Sequence, residues 1–233
     1  MKKLILLGIL TISILISTAQ SAATFNTANK TIVVKEVSST QFKKWKPFII
    51  PSVFIGYGFA GLGKDAPFNI DLNFQHSSQN HLDINGTKLD NYIQFVPALS
   101  VYALDALSVK PQHSFWLRTK IFITANALMF LSVFPLKNIS NVKRPDNSAY
   151  NSFPSGHAAT AFLGADFFYN EFKYKNEWWI YSGYFVATVV AVLRIINNAH
   201  WLSDVVAGAG LGILSNRVSY LIFNRNKSKT NCK

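Results

Sequence analysis

The chain reads as a succession of apolar blocks separated by polar stretches, and no block alternates apolar and polar positions as a half-buried strand would. The blocks run over residues 47–63, 92–109, 121–136, 157–172, 178–196 and 200–223. The first is short and interrupted by Pro51 and several glycines. Asp105 interrupts the second, and Asn216 and Arg217 the last. The block at 121–136, rich in Leu, Met, Phe and Ala, is the cleanest. Between them, 64–91 is rich in Asn, Asp and His, and 137–153 is polar with Pro145 inside and Pro154 just beyond; both predict loops. Residues 24–46 are polar, and the run Thr31-Ile32-Val33-Val34 favours an extended strand locally. The pattern predicts an all-α bundle of about five to six helices over 47–224, preceded by a polar extension over 23–46 and followed by a basic tail over 225–233.

Block length points to a membrane. A crossing needs about 20 apolar residues, and several blocks approach that length. The first 22 residues carry a separate signal: Lys2 and Lys3, an apolar run over 4–16, then small residues over 17–23. That order predicts a secretory signal peptide. The formal charge of +12 could suggest nucleic acid, but the cations cluster at the ends of apolar blocks and in the tail, as expected beside membrane helices. No nucleic-acid-reading module accompanies them. The single cysteine, Cys232, excludes a disulfide framework, and no Cys/His cluster offers a metal site. No metal and no cofactor is expected.

Chemistry concentrates in three segments at block ends: Lys137 with Arg144-Pro145, then Pro154-Ser155-Gly156-His157, then Arg194 with His200 and Asp204. Three cations with little acidic company suit a phosphate, whose oxygens an Arg fork matches two at a time. Ser155 and Gly156 sit where a helix should start, with free backbone N–H groups, and glycine lets backbone approach a ligand. His200 and Asp204 are four apart and share a helix face. A carboxylate there holds one imidazole nitrogen protonated and frees the other to attack. His157 adds a second titratable group for a leaving oxygen. Taken singly, each piece has an ordinary reading. Lys137 and Arg144 could flank a membrane helix, with Lys143 a competing cation; Pro-Ser-Gly could be a turn; His200 and Asp204 could be a solvated pair. The combination points to metal-independent phosphoryl transfer through a phosphohistidine.

The three segments resemble the signature of the type-2 phosphatidic-acid phosphatase superfamily: Lys-x6-Arg-Pro, Pro-Ser-Gly-His and Ser-Arg-x5-His-x3-Asp. The resemblance covers roughly residues 115–223. It implies an all-α fold, His200 as nucleophile with Asp204 its partner, and His157 as general acid. It implies phosphate binding by Lys137, Arg144, Ser155, Gly156 and Arg194. One departure stands out: Leu193 occupies the place of the signature's serine. The stretch 197–210 resembles bacterial envelope members, some of which act on lipid A and others on polyprenyl pyrophosphate or phosphatidylglycerol phosphate. The expectation is a lipid phosphate or pyrophosphate phosphatase in the bacterial inner membrane, its site facing the periplasm. A soluble periplasmic acid phosphatase and a vanadate-dependent haloperoxidase are the alternatives. Trp178, Trp179 and Trp201 read either as an interfacial belt or as packing. Lys110, Arg118 and Lys120, with the basic tail, mark the opposite, cytoplasmic face, provided that the block at 47–63 does not fully cross.

Overall fold

The computed structural model describes residues 30–62 and 88–230, with side chains over 45–62 and 88–223. The predicted signal peptide over 1–22, most of the loop over 64–91, and Cys232 lie outside these residues. Among the described residues there is no strand and there are seven α-helices: α1 Lys30–Ala60, α2 Asp90–Ile93, α3 Val96–Ala106, α4 Phe115–Ser140, α5 Gly156–Phe172, α6 Ser182–Ile196 and α7 Leu202–Thr230. Short 3₁₀ turns, Lys173–Lys175 and Trp178–Tyr181, lead from α5 into α6. The all-helical expectation holds.

Two expectations need correction. The β-branched run at 31–34 is helical, and the block at 47–63 is not a short element, because α1 continues through Pro47 and Pro51 to Ala60. Helix propagation costs little once a nucleus exists, so a weak local β preference yields to it. From Pro51 onward packing reinforces the helix. A Cβ on Gly58 or Gly61 would collide with Ala207 or Ser203 of α7, and one on Gly210 of α7 would lie 2.7 Å from the Pro51 carbonyl oxygen. The helix count exceeds five to six because the block at 92–109 divides into the four-residue α2 and α3.

The α5–α7 pair forms the centre, flanked by α3, α4 and α6. Small residues let the axes approach: a Cβ on Gly208 would lie 2.3 Å from the Ser155 carbonyl oxygen, and one on Gly212 2.1 Å from that of Ala159. Around this seam Ala158, Ala191, Ile195 and Val205 pack together, as do Ala161, Ala165, Ala187 and Val190. Larger side chains fill the other end, where Val101, Ile121, Phe167, Phe172 and Tyr220 form the aromatic core.

Two buried polar clusters tie the helices. Asp166 accepts from the Tyr184 hydroxyl at 2.6 Å, Arg217 Nε at 3.0 Å and Asn216 Nδ2 at 2.8 Å, joining α5, α6 and α7. At the bundle end where α5 finishes, Glu171 bonds the His113 ring at 2.8 Å and accepts from the Tyr220 hydroxyl at 2.5 Å. Arg118, expected as an interfacial cation, is instead buried and paired with Asp105 at 2.5 Å, beneath the Tyr102 and Phe115 rings. A partner carboxylate and two ring faces make that burial tolerable.

Three helical stretches are long and apolar enough to cross a membrane: Phe115–Ser140, Trp178–Ile196 and Leu202–Phe223. The chain is a membrane protein on this composition, and α4 leaves Phe130, Leu131 and Phe134 more than half exposed, as a lipid-facing helix does. The three tryptophans divide between both readings. Trp178 is 85% exposed, Trp179 packs on Phe168 and Phe172, and Trp201 donates Nε1–H to the Lys143 carbonyl at 2.8 Å.

Candidate active site

Chain direction brings the chemistry together. α4 ends, α5 begins, α6 ends and α7 begins close together, so residues distant in sequence meet at one end of the bundle. Backbone bonds lock the junction: Ser155 N–H donates to the Asp204 carbonyl at 2.9 Å, and Asp146 N–H to the Asn198 carbonyl at 3.1 Å. Asn141 and Asn198 take left-handed φ values of 52° and 55° at the bends, a region Asn tolerates better than most residues.

Lys137 lies in the last turn of α4, which runs to Ser140, so the expected loop begins four residues later, at Asn141. Its ammonium donates to the Pro154 carbonyl at 3.2 Å. Arg144, in the loop, donates its Nε–H to Asn151 Oδ1 at 3.1 Å. Lys143, the competing cation, is exposed and lies over the Tyr150 ring. The Phe153–Pro154 peptide is cis, and Ser155 follows as the N-cap of α5, its side chain accepting from Ala158 N–H at 3.5 Å. A Cβ on Gly156 would meet no atom within 4 Å. Glycine is therefore not demanded there by packing, and the space over the first free N–H groups of α5 is open. That is the arrangement of an anion site.

Arg194, in the last turn of α6, donates Nη1–H to Asp90 Oδ2 at 2.5 Å, while its buried Nε–H has no partner. His157 Nε2 meets Asn91 Oδ1 at 2.7 Å. Asp90 and Asn91 belong to no motif, and no sequence signal points to them.

His200 is 1% exposed and Asp204 fully buried. The expected direct pair is loose: His200 Nδ1 stands 3.5 Å from Asp204 Oδ2. Ser152 bridges it. Its hydroxyl donates to Asp204 Oδ2 at 2.5 Å and lies 3.4 Å from His200 Nδ1. Asp204 Oδ2 also accepts from Trp201 N–H at 2.9 Å. This orients the ring with Nδ1 toward the hydroxyl and carboxylate, so that Nε2 is the nitrogen free to act. Ser152 escaped the sequence reading because a serine in a polar loop looks ordinary; only its full burial shows otherwise. Leu193, in the serine's place, is half-buried on α6.

Both imidazoles lie outside the three long apolar stretches, and burial lowers both. His200 falls to about 4, with Asp204 opposing the shift and Lys137 and Arg194 adding to it. His157 falls to about 4 through burial first and then Arg194. Both rings are therefore neutral near pH 7. An anionic ligand would counter the cationic contribution and raise both.

The match to known proteins follows the same residues. Residues 118–228 fit the model of the PAP2 superfamily. That segment is similar to members of the PAP2 superfamily. The PAP2 segment holds every site residue named so far except Asp90 and Asn91. Over 159 residues, 66% of this chain, it is 34% identical to the lipid A 1-phosphatase of Porphyromonas gingivalis; the chain spans about 35% of that relative's length. Among solved structures it is similar to LpxE of Aquifex aeolicus, with 23% identity, a TM-score of 0.50, and coverage of 66% of this chain and 96% of that one. It also aligns with a transmembrane PAP2-type phosphatidylglycerolphosphate phosphatase of Bacillus subtilis, at 19% identity, a TM-score of 0.48, and coverage of 78% and 97%.

Proposed function

We propose that this protein is a metal-independent phosphatase of the PAP2 superfamily that removes phosphate from a membrane lipid, with lipid A the leading substrate. The observation that carries the reading is the buried His200–Ser152–Asp204 array beside the open N-terminus of α5, ringed by Lys137, Arg144 and Arg194. His200 Nε2 attacks phosphorus; its Nδ1–H is retained by Ser152 and Asp204, whose long contacts tighten as the ring gains charge. Lys137, Arg144, Arg194, the Ser155 hydroxyl and the Gly156 N–H hold the equatorial oxygens and stabilise their charge in flight. These cations supply the positive charge that a metal ion would otherwise provide. His157 protonates the leaving oxygen, and then takes a proton from the water that hydrolyses the phosphohistidine. The identity with a lipid A 1-phosphatase supports the choice of lipid, and a cationic pocket at the end of apolar helices lets the acyl chains remain in the bilayer.

The site faces the periplasm in this reading. Lys110 and Lys120 are exposed beside the start of α4, which lies at the other end of the bundle and takes the cytoplasmic side. Arg118 no longer counts toward that charge, since it is buried with Asp105. A cysteine placed at position 143 should react with a membrane-impermeant maleimide from the periplasm; protection there would reverse the orientation.

The deciding experiment measures phosphate release in EDTA by detergent-purified wild type and His200→Ala, across lipid A, undecaprenyl pyrophosphate, phosphatidylglycerol phosphate and phosphatidic acid. Turnover of lipid A by wild type alone, with an acid-labile phosphoenzyme, is the expected result. An active His200→Ala protein would sink the mechanism, and turnover of another lipid would reassign the substrate.

A further inference from the structure

Asp90 and Asn91 are consecutive residues on α2, outside the PAP2 segment, yet each touches a different member of the site. Asp90 is 1% exposed and holds Arg194 Nη1 at 2.5 Å. Asn91 Oδ1 meets His157 Nε2 at 2.7 Å. The same short helix is anchored independently: Ile93 packs into the cluster of Ala161, Ala165, Ala187 and Val190 between α5 and α6, and Gln94 Nε2 donates back to the Asn91 carbonyl at 2.8 Å. α5 carries His157 and α6 carries Arg194, so α2 is a fixed bridge between the phosphate-gripping side and the proton-donating side.

We infer that Asp90 and Asn91 are positioning residues of the reaction proposed above, on which this inference rests. Asn91 Oδ1 has no proton to give, so His157 donates Nε2–H to it. That fixes the tautomer and leaves Nδ1 as the nitrogen that takes up a proton and delivers it to the leaving oxygen. Asp90 holds one corner of the Arg194 guanidinium and leaves the unpartnered Nε–H for a phosphate oxygen. The two residues therefore serve different halves of one step: Asn91 the bond that breaks, Asp90 the group that is held.

This division predicts different kinetic signatures. An alkyl leaving group, such as the glycerol of phosphatidic acid, departs as a strong base and needs the proton. The p-nitrophenolate of p-nitrophenyl phosphate leaves without one. Asn91→Ala should lower kcat at least tenfold on the alkyl phosphate and less than threefold on p-nitrophenyl phosphate. Asn91→Asp, which keeps an acceptor oxygen, should restore most of the loss. Asp90→Ala should lower kcat/KM on both substrates alike and weaken inhibition by inorganic phosphate at least fivefold. A merely structural α2 would give equal losses on both substrates for all three variants, and that result overturns the inference. So does full activity of Asn91→Ala, or unchanged phosphate inhibition in Asp90→Ala. The controls separate this from the mechanism itself. A wild type inert on both substrates, or an active His200→Ala, removes the mechanism and this inference with it. Leaving-group dependence in His157→Ala that is missing from Asn91→Ala removes this inference alone.

Discussion

Ser152→Ala tests the least expected part of the site. The substitution removes one oxygen atom from a fully buried position and adds nothing. Asp204 Oδ2 loses its 2.5 Å donor and keeps Trp201 N–H, while His200 Nδ1 loses the oxygen at 3.4 Å and keeps a carboxylate at 3.5 Å. A hydrogen bond to a charged acceptor is worth roughly 1.5–3 kcal/mol. If Ser152 carries that much more when His200 bears the phosphoryl group, kcat falls by about 10- to 100-fold, since about 1.4 kcal/mol corresponds to tenfold. KM should hold, because Ser152 contacts the far side of the ring from the phosphate pocket. The assay is steady-state turnover of the lipid substrate, with thermal unfolding of the same preparations as a control for folding. A folded Ser152→Ala protein with kcat within twofold of wild type would refute the bridge and return Ser152 to a purely structural role.

Three further outcomes follow from the geometry. Gly156→Ala should fold normally, because its Cβ meets nothing, yet lose phosphate affinity, whereas Gly208→Ala would place its Cβ only 2.3 Å from the Ser155 carbonyl oxygen and should cost about 1–3 kcal/mol of stability; similar melting temperatures for the two variants would contradict this. His200, lowered from 6.5 to about 4 by burial, binds a proton more readily in the unfolded chain than in the fold. Its contribution to stability is therefore complete above pH 6.5 and is lost as pH falls toward 4; an imidazole resonance of the empty protein assigned to His200 and titrating near 6.5 would contradict the burial. Lys137→Ala should lower turnover by at least tenfold while Lys143→Ala stays within about twofold, in the same phosphate-release assay; equal losses would return Lys143 to the site.

The helices and the location of the chemistry at their ends were readable because both are local properties: apolar runs report burial or lipid contact, and the three motifs carry their own spacing. What the sequence hid was tertiary. Ser152, Asp90 and Asn91 are ordinary polar residues whose roles come only from what lies across the bundle. The strand expected at 31–34 and the break expected at Pro51 were local preferences, overridden by helix propagation and by the glycine seam against α7. Arg118 misled for a related reason: a cation near an apolar block marks an interface only if its carboxylate partner is elsewhere, and Asp105 lies 13 residues back on another helix.

The Asp166 cluster bears on how the protein is made. α7 leaves the ribosome after α5, and it carries Asn216 and Arg217. Placed alone in hydrocarbon, an arginine side chain works against insertion by up to about 2.5–3.5 kcal/mol, less toward the helix end. Its counter-charge, Asp166, sits on α5 and has the converse problem until Arg217 arrives. Each helix therefore carries the other's missing charge, so α7 should insert stably only once it can pair with α5.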